Sequence, residues 1–340
     1  RRTGLDLQFH YSLNFSKLLG WGVLTVVLLT LSSCGWMPAT LTLGGDVMLS
    51  RSGESLFSED SPWGNTADFL NSPASGLFAI NLESPLGIFP DQDLAVAQEM
   101  NLCADSSQIH VLLESGVDLV TRVNNHALDC LSESQEEADR LLAEAGILNI
   151  SAPGEVSYVK TGTRTIAILS LNLVDSQPDM ESLQAVITQA RKNSSLVVIS
   201  LHWGNEYQAG PTGRQEEIAQ ILVDDGADVI WGHHPHVLQR VEWLTSSLDG
   251  HEALVIYSLG NLLSDQWMLP DAQRSALVRL RFSDHQIRKV QVIPLVMDEK
   301  TRRLTIAGED DQQHIIERLV GDPLSPQERK IEFWQPPIEE

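Results

Sequence analysis

Residues 227–236 read Ala-Asp-Val-Ile-Trp-Gly-His-His-Pro-His, an apolar run followed at once by three histidines in four residues. The apolar run predicts a buried strand, and neutral imidazole is the commonest metal ligand in proteins. Side chains two residues apart share a face of an extended chain. His234 and His236 are therefore expected to point the same way if the segment is extended. The motif alone leaves a second interpretation open, in which these histidines are hydrogen-bonded core groups.

Four other apolar runs also deliver polar residues where they end. These runs and the residues after them contain Asp46, Glu83, Asn124-Asn125-His126 and His202. Because ligands of open α/β sheets bind at the carboxyl ends of the strands, we expect these side chains to share one site. Each alone has an ordinary structural explanation, such as helix capping by Asp46 or an Asx turn at Asn124-Asn125.

Apolar runs and amphipathic segments alternate from Thr40 onward. The apolar runs predict strands at 41–44, 77–81, 117–123, 165–171, 196–201, 229–231, 255–259, 276–282 and 290–296. The amphipathic segments predict helices at 106–114, 132–144, 180–192, 214–225 and near 312–319. The first half is typical of parallel α/β structure, whereas 237–243 and 253–257 predict an antiparallel hairpin. We therefore expect two packed mixed sheets with helices outside them.

Composition limits the classes of partner. The chain has 340 residues, 42% of them hydrophobic, which is enough for one large domain or two modest ones. Its net charge of -23 disfavours a nucleic-acid partner, because that backbone is itself a polyanion. A polyanionic substrate would likewise need metal cations or a local Arg or Lys patch in order to bind.

The first 39 residues are predicted to be a targeting segment and short linker. Basic residues precede the charge-free stretch 18–31, and Ser32-Ser33-Cys34 follows it. This order is typical of a secretory signal, and Cys34 stands where a bacterial lipobox carries its lipidated cysteine. An uncleaved membrane anchor and cleavage at another position remain alternatives. Each of the three predicts an exported protein, attached to the outer face of the cytoplasmic membrane or resident in the periplasm or cell envelope.

Two further cysteines, Cys103 and Cys130, follow the targeting segment. In an oxidising envelope compartment an isolated pair of this kind can form a disulfide. Reduced buried thiols and a nucleophilic cysteine remain the alternatives at this stage. Because Cys130 lies four residues after His126, a disulfide would tie the loop beside the predicted site.

Six ordered motifs, read together, carry a family resemblance. They are Gly45-Asp46-Val47-Met48-Leu49, Asn81-Leu82-Glu83-Ser84-Pro85, residues 124–129, residues 202–207, residues 232–239 and Tyr257-Ser258-Leu259-Gly260-Asn261. The order of the motifs resembles that of the calcineurin-like metallophosphoesterase superfamily. Their individual residues are similar to those of its CapA branch, which is associated with poly-γ-glutamate capsule biosynthesis. The resemblance implies a four-layer α/β/β/α sandwich over residues 40–297, followed by a C-terminal extension over 298–340.

The resemblance also implies roles for single residues. Asp46 would hold a first metal ion, Glu83 would bridge two ions, and Asn125 and His202 would bind the second. His234 and His236 would divide between the two ions, which would be Mn, Fe or Zn. His126 would contact the reacting group, and Glu83 would also help to orient the attacking water. The pocket wall is predicted to include Arg51, Trp203, Glu206, Tyr207 and Asn261.

Met48 stands where the wider superfamily has a histidine ligand, a difference that the CapA branch shares. Because a thioether is a poor ligand for the ions that such N/O sites prefer, one ion or one tight and one labile ion are alternatives to a full pair. The resemblance implies a metal-dependent hydrolase or transferase, with an anionic polymer such as poly-γ-glutamate and membrane proteins of capsule synthesis or export as partners. The alternative is a non-catalytic assembly or polymer-binding protein with a structural metal site.

Overall fold

The computed structural model describes residues 38–50, 61–70, 76–88, 101–320 and 331–334. Arg51, predicted for the pocket wall, and Cys34, predicted to be lipidated, lie outside the described residues, as does the targeting segment up to Met37. Within the described part of the chain, no helix combines the length and apolar character needed to cross a lipid bilayer.

Strands dominate the described residues. The strands are β1 (Ala39–Val47), β2 (Leu77–Leu82), β3 (Leu86–Gly87), β4 (Ala104–Asp105), β5 (Leu119–Thr121), β6 (Leu148–Ile150), β7 (Val156–Thr161), β8 (Arg164–Asn172), β9 (Leu196–His202), β10 (Val229–His233), β11 (Leu238–Thr245), β12 (Glu252–Leu259), β13 (Asn261–Leu263), β14 (Arg274–Ser283), β15 (Gln286–Asp298), β16 (Arg303–Ile306) and β17 (Ile331–Phe333). The helices are α1 (Ala67–Leu70), α2 (Ile109–Ser115), α3 (Ser134–Glu144), α4 (Met180–Asn193), α5 (Gly213–Asp225) and α6 (Glu309–Val320).

The strands form two large mixed sheets and one small parallel pair. The first sheet has nine strands in the order β16-β15-β14-β1-β2-β5-β6, with β13 added to β1 and β17 added to β15. The second has six strands in the order β11-β12-β10-β9-β8-β7. In the first sheet β1, β2, β5 and β6 run parallel, and in the second β8, β9, β10 and β12 do so. The predicted hairpin is present as the antiparallel pair β11–β12.

The main core lies between the two sheets and follows the alternation of side chains along a strand. Leu41 and Leu43 of β1 meet Val198 of β9 and Val229 and Trp231 of β10 in one buried cluster. On the opposite face of the second sheet, residues such as Val197 and Ile199 belong to a different cluster. Each sheet therefore buries both faces, which explains why its central strands read as nearly continuous apolar runs.

Helices cover the outer faces. Helices α2 and α3 pack on the nine-stranded sheet through Val111, Leu112, Ala138 and Leu142. Helices α4 and α5 pack on the six-stranded sheet through residues that include Leu183, Ile187, Leu222 and Val223. The order of layers is thus α/β/β/α, and the predicted metallophosphoesterase-like sandwich is confirmed.

Some element boundaries differ from those that the sequence predicts. The strand predicted at 117–123 is regular only over Leu119–Thr121, and the helix predicted from Ser106 begins as a 3-10 turn before α2 starts at Ile109. Strand β7 was not predicted. Beyond Asp298, β16 and β17 pair with β15, and Ile315 and Leu319 of α6 pack into the core between the sheets.

A buried carboxylate links the two sheets at the end remote from the histidines. Asp228, just before β10, is fully buried and accepts hydrogen bonds from the Val197 backbone N–H at 2.8 Å and from Arg191 Nη1 at 2.5 Å. His285, in the β14–β15 turn, places its Nδ1 2.6 Å from the same carboxylate. This cluster joins a turn of the nine-stranded sheet to β9, α4 and β10.

Candidate metal centre

The predicted site residues meet where the carboxyl edges of the two sheets face each other. Asp46 lies near the end of β1, and Glu83 follows β2 in the nine-stranded sheet. His202 ends β9, and the histidine turn, defined here as residues 233–236, begins at the end of β10 in the six-stranded sheet. Each sheet therefore supplies part of the cluster.

Two glycines allow the backbones to come this close. A Cβ atom on Gly45, beside Asp46, would lie 2.0 Å from the Gly260 carbonyl oxygen. A Cβ atom on Gly232, before the histidine turn, would lie 2.0 Å from the Tyr257 carbonyl oxygen. Only glycine fits at either position, because both contacts are with backbone that has no room to move.

The histidine turn is not extended, so the condition under which His234 and His236 were expected to share a face is not met. His234 has φ 92° and His236 has φ 59°, both in the region that residues other than glycine rarely adopt. The His234 backbone N–H donates to Asp46 Oδ2 at 3.1 Å. The two rings still lie near each other, with centroids 5.8 Å apart. Such strained backbone is concentrated at functional sites.

Glu83 lies at the middle of the cluster. Its Oε1 is 3.6 Å from His202 Nε2 and 3.7 Å from His236 Nε2. Glu83 therefore faces one histidine at the end of β9 and one in the histidine turn after β10. The side chain is fully buried, yet neither carboxylate oxygen has a hydrogen-bond partner among the described residues. His202 Nδ1 and His234 Nδ1 are also buried without such a partner. Unpaired buried polar atoms are costly, and a divalent cation would satisfy this N/O donor set.

Three overlapping groups of side chains bring their ligand atoms within 4.8 Å of one another. The groups are Asp46–Glu83–His236, Glu83–His202–His234 and Glu206–His234–His236. Glu83 belongs to the first two, which is the arrangement that a bridging carboxylate requires. The donors are imidazole nitrogens and carboxylate oxygens, which suit Mn, Fe or Zn.

Burial and neighbouring charges shift the protonation of the cluster. Burial alone would raise the pKa of Asp46, but the His233 and His236 imidazoles outweigh it and hold that pKa well below its usual value. Burial would lower the pKa of His236, yet Glu83 and Asp46 raise it to about 9. Burial raises the pKa of Glu83 to about 7, against the opposing effect of His236. In the protein without a cation, the proton on His236 therefore offsets part of the carboxylate charge.

The remaining two histidines of the groups are electrically neutral near pH 7. Burial holds the pKa of His202 well below its usual value. Burial and the nearby His236 lower the pKa of His234 to about 4. Neutral imidazole is the form that binds metal ions, so both rings are available without loss of a proton.

Asn125 and His126 lie on the loop after β5. Asn125 Oδ1 accepts a hydrogen bond from His202 Nε2 at 2.6 Å, which places the amide oxygen beside the predicted metal-binding imidazole. His126 Nδ1 is 2.8 Å from Asp129 Oδ2. Burial lowers the pKa of His126, but Asp129 and Glu83 together raise it above its usual value. Asn125, the predicted metal ligand, and His126, predicted to contact the reacting group, therefore both reach the centre from this loop.

Asp129 links this loop to a disulfide. Its Oδ2 also accepts a hydrogen bond from the Leu102 backbone N–H at 2.6 Å. Cys103 and Cys130, the neighbours of Leu102 and Asp129, are joined by a disulfide bond. The bond thus fastens both segments that hold the carboxylate facing His126. The sequence motif 124–129 contains Asp129 without a role of its own, and its i+3 spacing from His126 is the signal that could have identified it.

Two asparagines support Asp46, of which Asn124 was predicted to lie at the site and Asn81 was given no role by the sequence analysis. Asn81 Nδ2 donates to Asp46 Oδ1 at 2.8 Å. Asn124 Nδ2 donates to the Leu82 carbonyl at 3.0 Å and lies 3.3 Å from Asn81 Oδ1. Both amides are buried. Both asparagines lie in or next to the predicted ligand motifs, which indicates that they are near the site. Which groups their side chains contact depends on how β1, β2 and β5 pair.

A cleft of about 680 Å³ opens beside the centre. Asn125, His234, Trp203 and Glu206 line it, and the residues 173–178 and 212–218 supply further parts of its wall. The helix that begins at Gly213 was predicted, but neither its first turns nor the loop 173–178 was predicted to line the site. Arg214 is the one Lys or Arg side chain in this lining.

The other two described pocket candidates lie elsewhere. Tyr207 and Asn261 are not among the residues that line this cleft. The Tyr207 ring is 5.8 Å from that of His236, and Asn261 Oδ1 is 3.1 Å from His236 Nδ1. Asn261 therefore faces one ring nitrogen of His236, while Nε2 faces Glu83. Fixing the ring in this way is the usual task of groups behind a metal ligand.

Met48 is buried beside the cluster. Its side chain is 2% exposed, and Gln266 Nε2 lies 3.9 Å from its sulfur. Gln266 Nε2 also donates to the Tyr207 hydroxyl at 3.1 Å. Met48 thus occupies packed space next to polar groups that surround His236.

Known proteins resemble this chain in sequence and in fold. The family model described as "Bacterial capsule synthesis protein PGA_cap" matches residues 40–266. The "PGA biosynthesis protein CapA" of Bacillus subtilis (strain 168) is 29% identical over 270 residues, 73% of this chain and 69% of the relative. The "Capsule biosynthesis protein CapA" of Bacillus anthracis is 26% identical over 317 residues, 83% of this chain and 73% of the relative.

One solved structure shares the fold at low sequence identity. It is described as a novel phosphatase from Mycoplasma pneumoniae, and it superposes with a TM-score of 0.50 at 12% identity over 78% of this chain and 96% of that one. At this identity the likeness concerns the arrangement of strands and helices. The family match covers most of the sandwich and all the residues of the histidine turn. The chain therefore belongs to the bacterial capsule synthesis protein family PGA_cap.

Proposed function

We propose that this chain is a metal-dependent hydrolase or transferase that acts on an anionic capsule polymer, such as poly-γ-glutamate, or on a related phosphoester or amide of the cell envelope. The observation that supports this most is Glu83, a fully buried carboxylate without a hydrogen-bond partner that faces His202 and His236. A group so costly to bury is best explained by a cation.

The residues divide into binding and proton-handling groups. Asp46, Glu83 and His236 would hold one ion, and Glu83, His202, His234 and Asn125 would hold a second. A bound divalent cation would supply Lewis acidity to a phosphoryl or acyl centre and make water more acidic. His126, held by Asp129 and with a raised pKa, would donate a hydrogen bond or a proton to the group that gains negative charge.

The cleft would orient the substrate. It reaches from Asn125 and His234 at the centre to Arg214 on its rim, so an extended chain can place one bond at the centre and an anionic group near the guanidinium. In a chain with a net charge of -23, a local cation and bound metal ions would offset the general repulsion of a polyanion.

We further propose that the protein acts outside the cytoplasm, attached through a lipid on Cys34 or through an N-terminal anchor, next to membrane proteins of capsule synthesis or export. The Cys103–Cys130 disulfide supports an oxidising compartment.

The second candidate is a non-catalytic assembly or polymer-binding protein with a structural metal site. Met48 favours this reading, because a thioether stands where a further ligand would complete the first ion. The two candidates share the metal ions and differ in turnover.

Elemental analysis tests the metal centre, and substrate assays separate the two candidates. The full chain, purified in detergent without chelator, is expected to hold one or two equivalents of Mn, Fe or Zn. The double variant His234→Ala/His236→Ala should lose them, while His314→Ala, at a surface histidine outside the ligand groups, should keep them. A parent without metal, even after soaking, would overturn the hydrolase mechanism. Turnover of a phosphodiester or γ-glutamyl substrate favours the enzyme, and metal without turnover favours the assembly role.

A further inference from the structure

Glu206 is held against the histidine turn by hydrogen bonds on both sides of it. The Trp203 backbone N–H donates to the His233 carbonyl at 3.1 Å, and the Tyr207 backbone N–H donates to the Pro235 carbonyl at 2.8 Å. Tyr207 has φ 57°, which closes the turn that carries Glu206. The position of Glu206 beside His234 and His236 is therefore built into the backbone.

The Glu206 carboxylate has no protein partner that would explain this placement. It is exposed, and within the described residues it makes no hydrogen bond or ion pair. Its ligand oxygen lies within 4.8 Å of ligand atoms of His234 and His236. His234 Nδ1 is an independent sign of a missing partner, because this ring is only 6% exposed and the atom has no hydrogen bond.

Electrostatics makes an empty arrangement unfavourable. Glu206 adds a third carboxylate to a centre that already contains Asp46 and Glu83. Its negative charge contributes to the raised pKa values of Glu83 and His236. Like charges repel each other, and a bound cation would relieve that repulsion.

Glu206 shares one imidazole with each ligand group around Glu83. Its own group contains His234, which also belongs to the Glu83–His202–His234 group, and His236, which also belongs to the Asp46–Glu83–His236 group. Glu206 is therefore a carboxylate without a hydrogen bond in the described part of the chain, placed where the two groups meet.

We propose that Glu206 is a metal ligand, and that it binds a divalent cation of this centre together with His234 and His236. This inference rests on the proposed function, because it requires that the centre binds metal. It gives the exposed edge of the cleft, on the loop after β9, a direct part in ion binding.

A Mn²⁺ titration followed by electron paramagnetic resonance tests this assignment on the full chain in detergent. The variant is Glu206→Gln, which keeps the side-chain shape and removes the charge. The matched control is Glu217→Gln, an exposed acid on α5 that pairs with the cleft residue Arg214 and belongs to no ligand group. Thermal unfolding without metal should show that parent, variant and control are all folded, with Glu206→Gln at least as stable as the parent because one carboxylate charge is removed.

The expected result is that Glu206→Gln weakens one Mn²⁺ equivalent at least tenfold, while any second equivalent and the control stay unchanged. If Glu206→Gln binds Mn²⁺ as tightly as Glu217→Gln does, the assignment of Glu206 is overturned and the metal centre stands. If the parent itself binds no Mn²⁺, the proposed function fails together with this inference. The bound-Mn²⁺ spectrum adds a readout of coordination that does not depend on catalytic activity.

Discussion

The Oε1 atom of Glu83 lies 3.6 Å from Nε2 of His202, although the two residues come from different sheets. Both side chains are buried, and the Glu83 carboxylate accepts no hydrogen bond from any described residue. Two sheets that each bury a polar ligand at their carboxyl edge are unlike a simple packed interface. A cation bound by both side chains would explain this contact between the two sheets.

Replacing Glu83 with Gln is expected to abolish the stabilisation that the metal gives. At a free Mn²⁺ concentration 100 times Kd, the parent should gain about 2.7 kcal/mol in its free energy of unfolding. Glu83→Gln should gain much less, because the carboxylate common to two ligand groups is lost. Thermal unfolding with and without Mn²⁺ measures this difference, and Glu217→Gln serves as the control. An equal gain in Glu83→Gln would show that Glu83 is not a ligand.

Metal affinity is expected to fall as the pH falls. His236, with a pKa of about 9, carries a proton below that pH that a cation must displace, so affinity falls about tenfold per pH unit. Below about pH 7 Glu83 is protonated as well, and the slope approaches two. From pH 8 to pH 6 the loss should be about a thousandfold in total.

Calorimetric titration with Mn²⁺ in buffers of different ionisation enthalpy checks both the affinity and the number of protons released. About one proton should leave at pH 8 and nearly two at pH 6. An affinity that is flat over this range would contradict the protonation states described for His236 and Glu83.

The sequence predicted which residues form the site, but not the backbone geometry that holds them. Asp46, Glu83 and His202 follow buried apolar strands, and parallel strands bring their carboxyl ends to one edge, so the cluster was predictable. The left-handed φ values of His234 and His236 were not, because they arise from the contact of the turn with Asp46 and with the loop of Tyr207. These partners are distant in sequence, so the local pattern of residues around His234 and His236 cannot predict the contacts.

The same reasoning explains what was missed in the fold and the cleft. Strand β7 has few fully buried residues, so its sequence lacks the apolar run that marks the central strands. It forms by pairing with β8 across the turn at Gly162, which has φ 59°. Glu206 was predicted only as pocket wall, because its approach to His234 and His236 depends on backbone bonds between two loops that are distant in sequence.

Loss of the disulfide is expected to weaken the fold beside His126. For the 27-residue separation of Cys103 and Cys130, the loop-entropy relation gives about 3.5 kcal/mol. The double variant Cys103→Ser/Cys130→Ser should lose about this amount in urea unfolding, and the parent in reductant should behave alike. Because Asp129 lies next to Cys130, nuclear magnetic resonance should also show a lowered pKa for His126 in the variant. No change in either quantity would mean that the bond does not restrain this loop.

Asp228 should contribute more to stability than any exposed ion pair of the described chain. In Asp228→Asn the Arg191 guanidinium loses its ionic partner, and one of the three groups that donate to Asp228 meets an amide NH₂ instead of an oxygen. Breaking a buried pair from one side costs about 3 kcal/mol or more. The matched control is Glu144→Gln, at the exposed Arg140–Glu144 pair, where the change should stay within about 0.5 kcal/mol. Urea unfolding gives both values, and hydrogen exchange should locate the loss at the His285 turn and the start of β9. Equal effects of the two variants would mean that the Asp228 cluster is not what holds the sheets together at this end.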